Sequence, residues 1–356
     1  MISSGKSSWF NLTSLALGIL IGIVIGYLAG YLSLPYIVKP QQPILAHIRF
    51  TLDWAYQGPQ APFLVAYYKG FFAEEGLSVT IDRGYGSAKA VSDVAAGVFD
   101  MGFGDFNTLV EFKARNPDAR VKCVAIVYLK APHSIVTLRN RGIENPRDLE
   151  GKRLGAPAGD AARRLFPAFA NVVGINADKI SWVTMDIPLR EPMLVRGEVD
   201  AVSGFYFTVV LNLINLNISM NDIIVFKYAD YMPIVGNCIL VNEDFLSRNP
   251  DAVRRFLRAF FRALKYSLNN VDEAISIVLR RDPTLNKDLE KLRFEMALEL
   301  ILVEDYVRRH GLGYVESSIL ERNIDIIVET FGLERRPSLD EIVDFGYLPP
   351  LEERSI

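Results

Sequence analysis

Hydrophobic and polar positions alternate along most of this 356-residue chain with the periods of strands and helices. Residues 48–52 alternate as a strand, residues 61–75 follow a helical pattern, and residues 77–81 again indicate a strand. The same succession of strands and helices runs to about residue 131 and is repeated up to about residue 241. Alternating strands and helices predict a mainly parallel sheet, so two such sets predict two α/β lobes.

The chain beyond residue 244 has almost continuous helical periodicity, which predicts a helical C-terminal region. Together these patterns predict four segments. They are a leader with its linker over residues 1–43, a first part of lobe I over 44–131, lobe II over 132–232, and a return strand with C-terminal helices over 233–356.

The first hydrophobic segment is of a different kind, because residues 7–38 contain no charged side chain. A helix that crosses a bilayer needs about 20 consecutive apolar residues, and residues 9–34 exceed that length. We therefore expect an N-terminal transmembrane helix that anchors the protein in the cell membrane with its globular part outside the cytoplasm. The alternative is an export signal that is cleaved, which would leave a secreted protein.

Composition narrows the function. A net charge of −3 argues against nucleic-acid binding, which normally requires a basic surface. The chain has three histidines and two cysteines, and it contains no Walker, G-x-S-x-G or H-E-x-x-H motif. We therefore expect no cofactor, no metal and no enzymatic activity.

The two cysteines, Cys123 and Cys238, are compatible either with buried free thiols or with one disulfide.

A series of short motifs carries a family resemblance. In order they are Asp53-Trp54, Ala66-x-x-x-Gly70-Phe71-Phe72-x-x-x-Gly76-Leu77, Gly86-Ser87, Gly97-x-x-Asp100-x-Gly102, Asp148-Leu149-x-Gly151-Lys152-x-Leu154-Gly155 and Gly197-x-Val199-Asp200-Ala201. In this order they resemble the solute-binding proteins of nitrate/sulfonate/taurine-type ABC importers. The similarity is greatest to the branch that includes binders of the thiamine pyrimidine precursor.

The resemblance implies a type II periplasmic-binding-protein fold, in which two α/β lobes joined by two crossing strands close on a solute. It implies a first crossing near residues 129–132 and a return near 233–236. It also implies that the returning strand lies beside the strand after Arg120, which would make Cys123 and Cys238 neighbours. The partners it implies are a small-molecule solute and the permease and ATPase subunits of an ABC importer.

Ligands of open α/β sheets bind beyond the carboxyl ends of the strands, where helices begin. Four such corners can be located in this sequence, three in lobe I and the fourth in lobe II. The candidate ligand-binding residues at these corners are Asp53, Trp54, Tyr56, Gln57, Ser87, Asp105, Phe106, Asn107, Gly159, Asp160, Arg190, Phe205 and Tyr206.

Each of the main candidates also has a purely structural interpretation. Trp54 and Tyr56 can stack on a planar ligand, but a tryptophan can equally pack in the core of its lobe. Asp53 and Asp105 can accept hydrogen bonds from an amine, and an aspartate at the start of a helix can also serve as its N-cap. Arg190 can bind a carboxylate or sulfonate, or form an ion pair between protein groups.

The balance of aromatic and acidic residues over one clear arginine favours a planar or amine-bearing solute over a small oxyanion. The expected function is therefore an extracytoplasmic receptor that delivers a pyrimidine-like molecule to an ABC importer. The alternatives are a receptor for a small sulfonate or carboxylate such as taurine, or an enzyme built on the same fold.

Overall fold

The computed structural model describes residues 46–356, together with Leu20 and Ile23. Apart from those two residues, the segment on which the membrane anchor was predicted lies outside the described residues. Within the described part of the chain, no helix combines the length and the apolar character needed to cross a membrane.

Within the described residues, ten strands form two five-stranded sheets. They are β1 (Ala46–Thr51), β2 (Leu77–Asp82), β3 (Met101–Asp105), β4 (Val121–Ile126), β5 (His133–Leu138), β6 (Arg153–Ala156), β7 (Ser181–Thr184), β8 (Ala201–Phe205), β9 (Ile223–Lys227) and β10 (Asn237–Asn242). The first sheet has the strand order β2-β1-β3-β10-β4, and the second has the order β7-β6-β8-β5-β9.

Fifteen α-helices cover the sheets or follow them in the described chain. They are α1 (Ala61–Tyr68), α2 (Phe71–Glu74), α3 (Ser87–Ala95), α4 (Phe106–Arg115), α5 (Ala161–Val173), α6 (Arg190–Arg196), α7 (Tyr206–Asn215), α8 (Glu243–Arg248), α9 (Pro250–Asn269), α10 (Val271–Arg281), α11 (Lys287–Ile301), α12 (Glu304–His310), α13 (Ser317–Thr330), α14 (Leu339–Ile342) and α15 (Leu351–Arg354).

The two sheets share one topology, because each contains parallel strands and one antiparallel strand. In the first sheet β2, β1 and β3 are parallel, and β10 lies antiparallel between β3 and β4. In the second sheet β5 takes the equivalent place between β8 and β9. The chain therefore passes from the first sheet to the second after β4 and returns before β10. We call the half built on the first sheet lobe I and the half built on the second sheet lobe II.

One arginine–aspartate contact occurs in both lobes at the start of the parallel strands. The amide of Arg49 donates to Asp100 Oδ2 at 2.8 Å, and the amide of Arg153 donates to Asp200 Oδ2 at the same distance. Each guanidinium also donates at 3.0 Å to the carbonyl of a glycine, Gly97 or Gly197, which ends the helix before the aspartate. These contacts explain why glycine and aspartate recur at the same spacing in both halves of the sequence.

The helical segments differ in detail from the sequence prediction. The single helix predicted over residues 61–75 is divided into α1 and α2, because Gly70 adopts a left-handed conformation with φ of 78°. Its lack of a Cβ makes glycine the residue best suited to that conformation. Four short helices, α8, α12, α14 and α15, were not predicted individually, since each is too short for a clear helical period.

The last residues of the chain pack against lobe I. The amide of Asp344 donates to the carbonyl of Cys123 at 2.9 Å, and Arg258 Nε donates to Glu353 at 2.8 Å. The amide of Leu312 donates to the carbonyl of Arg354 at 2.8 Å. The tail is therefore a wrapped extension of lobe I.

Cys123 and Cys238 lie on adjacent strands, β4 and β10, and both are buried free thiols. Burial raises the pKa of the Cys238 thiol well above its usual value, and the contact with Cys123 raises it further. Of the two alternatives left open by the sequence, the structure has the free thiols.

The core of lobe I centres on an aromatic stack that joins helix α9 to strand β1. The ring of Phe256 lies 5.1 Å from that of Phe50 and 4.9 Å from that of Phe72, measured between centroids. Phe256 is fully buried, so its packing helps to hold the C-terminal helices on the first sheet.

Replacing Phe256 by alanine should lower the free energy of unfolding by about 3–5 kcal/mol, because the substitution leaves a cavity in a packed core. Urea denaturation followed by circular dichroism measures this change. The matched control is Leu292→Ala on α11, where the side chain is exposed and the change should stay within about 0.5 kcal/mol. Equal effects of the two substitutions would contradict this description of the core.

Candidate functional site

A small cavity lies between the two lobes at the carboxyl ends of their strands. Lobe I contributes the end of β1, the turn Gly58–Gln60 and the start of α3. Lobe II contributes the starts of α5, α6 and α7. The residues that line this interlobe cavity are Asp53, Trp54, Gln57, Gln60, Gly86, Ser87, Asp160, Ala161, Arg190, Phe205, Phe207 and Thr208.

Asp53 is the buried carboxylate of lobe I in this cavity. Gln60 Nε2 donates to its Oδ1 at 3.1 Å, and Asn237 Nδ2 donates to its Oδ2 at 2.8 Å. Burial raises the pKa of Asp53 from its usual 3.8 to about 6, although these two hydrogen bonds act in the opposite direction. Asp53 can therefore change its protonation state close to neutral pH, and it accepts hydrogen bonds most strongly when ionised.

Two further acceptors beside Asp53 are left without donors. Gln60 Oε1 and Asn237 Oδ1 are both buried and have no hydrogen-bond partner within the described part of the chain. A buried acceptor without a donor costs about 1–3 kcal/mol, so such groups commonly mark a place for a water or a ligand. The floor of the cavity is consequently rich in acceptors and poor in donors.

Arg190 lies in the opposite wall, and three of its five N–H donors bond protein groups. Its Nε and Nη2 donate to Glu191 Oε1 at 3.0 and 2.7 Å, and Nη1 donates to the carbonyl of Ser203 at 3.2 Å. Nη1 also lies 3.6 Å from Asp160 Oδ2, and the guanidinium lies 5.2 Å from the ring centre of Trp54. Arg190 therefore joins the acidic groups of lobe II to an aromatic side chain of lobe I.

The two lobes touch each other around the cavity. Thr208 Oγ1 of lobe II donates to Gln57 Oε1 of lobe I at 3.0 Å. At the cavity mouth the backbones meet so closely that a Cβ on Gly86 would lie 2.3 Å from the carbonyl oxygen of Gly159. The structure thus has the lobes closed over the cavity, and these two glycines permit the approach.

Of the thirteen residues predicted from the sequence, the structure brings seven together in the cavity wall. They are Asp53, Trp54, Gln57, Ser87, Asp160, Arg190 and Phe205. The other six lie elsewhere. They are Tyr56, Asp105, Phe106, Asn107, Gly159 and Tyr206.

Asp105 and its two neighbours face the hinge and the core of lobe I. The carboxylate of Asp105 caps helix α4 by accepting from the Thr108 amide at 2.8 Å, and it lies 3.1 Å from His133 Nε2. Asn107 donates to the carbonyl of Val235 at 2.8 Å, and Phe106 is fully buried in the core. These residues connect the crossing strands of the hinge to lobe I.

Burial by itself would raise the pKa of Asp105, but the neighbouring His133 and the hydrogen bonds from Thr108 outweigh it. The pKa of Asp105 is therefore lowered below its usual value. Asp53 and Asp105 are both buried in lobe I, yet their surroundings shift their pKa values in opposite directions. The reason is that Asp105 has an imidazole beside it, whereas Asp53 has only neutral amides.

The remaining three predicted residues lie at the edges of the site. Tyr56 borders an outer groove, and its hydroxyl donates to the carbonyl of Ile81 at 3.3 Å. Gly159 forms the mouth, and the hydroxyl of Tyr206 donates to the carbonyl of Met296 on α11 at 3.3 Å.

The sequence prediction did not include Gly86, Gln60, Ala161, Phe207 or Thr208 among the cavity residues. Gly86, Ala161 and Phe207 directly neighbour predicted positions in the chain, and Gln60 and Thr208 follow such positions within one turn. The available signal was the position at a strand-to-helix corner. The position at a corner does not indicate which of several consecutive side chains faces the cavity.

This two-lobe architecture with a cavity between the lobes is typical of solute-binding proteins. The chain belongs to the family described as NMT1/THI5 like, which matches residues 58–274 and thus more than half of the chain. The family resemblance inferred from the sequence motifs is therefore confirmed.

Curated relatives cover most of the chain at low identity. The riboflavin-binding protein RibY of Chloroflexus aurantiacus is 24% identical, covering 79% of this chain and 80% of that protein. The formylaminopyrimidine-binding protein of Halalkalibacterium halodurans is 24% identical over 72% of this chain and 77% of its own length. The 4-amino-5-hydroxymethyl-2-methylpyrimidine phosphate synthase of Aspergillus parasiticus is 26% identical over 70% and 74% of the two chains.

Solved structures show the same fold. The alkanesulfonate-binding protein SsuA of Xanthomonas axonopodis pv. citri has a TM-score of 0.68 at 12% identity, covering 84% of this chain and 98% of SsuA. A Candida albicans gene product with the generic periplasmic binding protein fold has a TM-score of 0.65 at 16% identity, covering 84% and 96% of the two chains. The predicted two-lobe periplasmic-binding-protein fold is thereby confirmed for the described residues.

One expectation from the sequence requires correction. The absence of catalytic motifs led us to expect that the protein is not an enzyme. The comparisons contradict this expectation, because several relatives are named as 4-amino-5-hydroxymethyl-2-methylpyrimidine phosphate synthases at 24–26% identity. The motifs sought were those of other enzyme classes, so their absence could not exclude the chemistry of this family.

Replacing Asp53 by asparagine should stabilise the empty protein at pH 7 by up to about 3 kcal/mol, the equivalent of the shift of its pKa from 3.8 to about 6. Either neighbouring amide can rotate to offer the new side chain an acceptor. The wild type should also gain stability as the pH falls from 7 toward 4, since its folded state takes up a proton first. Chemical denaturation at several pH values measures both effects.

Asp105→Asn is the matched control, because the pKa of Asp105 is shifted in the opposite direction. The ionised Asp105 stabilises the fold above its usual pKa, so this substitution should destabilise the protein at pH 7 by about 2 kcal/mol. Stability changes of the same sign for the two variants would contradict the electrostatics described here.

Proposed function

We propose that this protein binds a small, planar, amine-bearing solute of the pyrimidine type in the interlobe cavity. The observation that carries this proposal is the acceptor-rich floor, where the Asp53 carboxylate and the unpartnered Gln60 Oε1 lie in the cavity wall. A solute with N–H donors would satisfy both groups and favour the ionised form of Asp53.

The charges around the cavity support the same class of solute. Four buried acidic and two buried basic side chains line it or contact its wall, an excess of two negative charges when all are ionised. These residues are Asp53, Asp160, Glu191, Glu290, Arg190 and Arg293. A small oxyanion would be repelled by this excess, whereas a cation or a hydrogen-bond donor would be attracted.

The aromatic walls favour a flat molecule. Trp54 lies on the lobe I side, and Phe205 and Phe207 lie on the lobe II side of the cavity. Aromatic side chains on both sides can hold a planar ring between them when the lobes close. The riboflavin-binding and formylaminopyrimidine-binding relatives are both named for planar nitrogen heterocycles, which supports this part of the proposal.

The sulfonate-binding alternative has less support. A sulfonate would require donors from Arg190, but three of its five N–H groups already bond Glu191 and Ser203, and Asp160 Oδ2 lies 3.6 Å from Nη1. The likeness to SsuA concerns the fold alone at 12% identity. The synthase relatives support a second candidate function, in which a pyrimidine phosphate is synthesised in the cavity.

We also propose a location and partners. The charge-free residues 7–38 support a membrane anchor, with lobes I and II outside the cytoplasm. In that position the protein would deliver its solute to the permease and ATPase subunits of an ABC importer. Co-purification of the full-length protein from membranes with a permease subunit would test this arrangement.

Isothermal titration calorimetry with 4-amino-5-hydroxymethyl-2-methylpyrimidine tests the binding proposal. Wild type should bind this probe, and Asp53→Asn should weaken the affinity about 10- to 100-fold through loss of a charge-assisted hydrogen bond. Asp186→Asn, at the outer mouth, should bind like wild type. Equal affinities of the Asp53 and Asp186 variants would contradict the proposed role of Asp53.

The affinity of the wild type should also depend on pH. Because the pKa of Asp53 is raised to about 6, protonation should weaken binding as the pH falls from 7 to 5. Titrations of wild type and Asp53→Asn at matched pH values separate this effect from protonation of the probe. The same pH profile in both proteins would show that Asp53 does not govern binding.

A further inference from the structure

One face of helix α11 runs behind the interlobe cavity toward the hinge. Glu290, Arg293, Met296 and Leu300 follow one another at spacings of three, three and four residues, which places them on one side of a helix. None of these four residues lines the cavity. Each of them nevertheless makes a hydrogen bond that connects α11 to a different part of the binding apparatus.

The two ends of this face are bonded to lobe I and the first crossing. Glu290 Oε2 accepts from the amide of Gly58 at 2.7 Å, and the carbonyl of Leu300 accepts from the amide of Leu129 at 2.9 Å. Gly58 begins the turn that carries Gln60, the donor to Asp53. This end of α11 therefore positions the floor of the cavity.

The middle of the face is bonded to lobe II. Arg293 Nη2 donates to Asn212 Oδ1 at 2.8 Å, and the carbonyl of Met296 accepts from the hydroxyl of Tyr206 at 3.3 Å. Tyr206 and Asn212 both belong to α7, the helix whose Thr208 bonds Gln57 across the cavity. Arg293, Asn212 and Met296 are not among the residues that line the cavity.

Arg293 is the charged group at this junction. Arg293 and Glu290 are each 2% exposed and form an ion pair within α11. The buried charges of Glu191 and Arg190 in lobe II also act on Arg293. A buried guanidinium needs several partners at once, and Arg293 draws them from both lobes.

We propose that Arg293 is a positioning residue that stabilises the closed arrangement of the two lobes. When lobe II moves away, the bond from Arg293 to Asn212 must break, because Asn212 moves with α7. The bond from Glu290 to Gly58 remains, since both residues belong to lobe I. Arg293 would then keep Glu290 but lose Asn212. Because this loss accompanies opening, the bond to Asn212 favours the closed arrangement.

This inference rests on the proposed function in one respect, namely that closure of the lobes serves to retain a solute. Its central measurement requires no solute. Fluorescent labels on Lys89→Cys and Asp186→Cys, on opposite sides of the mouth, report the distance between the lobes by single-molecule energy transfer. The native thiols, Cys123 and Cys238, are fully buried and would not react under native conditions.

Asn212→Ala in the labelled full-length protein is the primary test variant, because it leaves the buried Glu290–Arg293 pair intact. It should lower the ratio of closed to open molecules about tenfold or more, as expected for loss of a hydrogen bond to a charged group. Arg293→Met should have at least the same effect. The double variant should open no further than Arg293→Met alone, because both changes remove the same bond.

Lys291→Met is the matched control, since it removes a cation from the exposed side of the same helix. It should leave the distance distribution unchanged, and Arg293→Lys should restore part of the closed population. Distances identical to wild type in folded Asn212→Ala and Arg293→Met proteins would overturn the proposal. Opening by Lys291→Met to the same extent would also overturn it.

The affinity for 4-amino-5-hydroxymethyl-2-methylpyrimidine should fall in Asn212→Ala in proportion to the fraction of empty molecules that the distance measurement finds closed. An unchanged affinity despite opening would contradict the coupling between closure and binding. Failure of every protein to bind this probe would instead count against the proposed function. The distance measurement would then still decide whether Arg293 stabilises closure.

Discussion

The binding site depends above all on one buried carboxylate, that of Asp53. An ionised carboxylate in the interior costs several kcal/mol unless hydrogen bonds compensate for it. The compensating donors come from Gln60 and Asn237, which lie on a turn after β1 and at the start of the returning strand β10. The crossing of the chain between the lobes thus supplies a group to the binding floor. These hydrogen bonds offset only part of the cost of burying the charge. Ionised Asp53 therefore destabilises the empty protein, and a solute with N–H donors would relieve this destabilisation.

Closure of the lobes places the second half of the site over this carboxylate. Lobe II contributes Arg190, which bonds Glu191 and Ser203 through three of its five donors, together with the aromatic side chains at the start of α7. The glycine contact between Gly86 and Gly159 allows the backbones to meet at the mouth. On the opposite side, α11 connects the floor of the cavity, the hinge and lobe II. The same contacts therefore shape the binding surface and hold the lobes closed.

The fold was largely predictable from the sequence, because strand and helix periods and the glycine–aspartate motifs are local signals. The repeated contacts of Arg49 with Asp100 and of Arg153 with Asp200 show what those motifs do. The site was predictable only to the level of its corners. Asp53 and Asp105 both lie at strand-to-helix corners. Asp105 nevertheless caps α4 beside His133 and does not line the cavity. Gln60 and Arg293 gave no local signal, since their roles arise from contacts between distant segments. The absence of known catalytic motifs was also an insufficient basis for excluding an enzyme.

The most direct test of the account is to identify what the protein itself retains. The full-length protein would be purified gently, denatured, and the released small molecules identified by mass spectrometry. We expect a planar, amine-bearing compound at close to one molecule per chain, and its loss from the Asp53→Asn variant. A stoichiometric sulfonate or other oxyanion, retained equally by both proteins, would contradict the central role of the buried carboxylate.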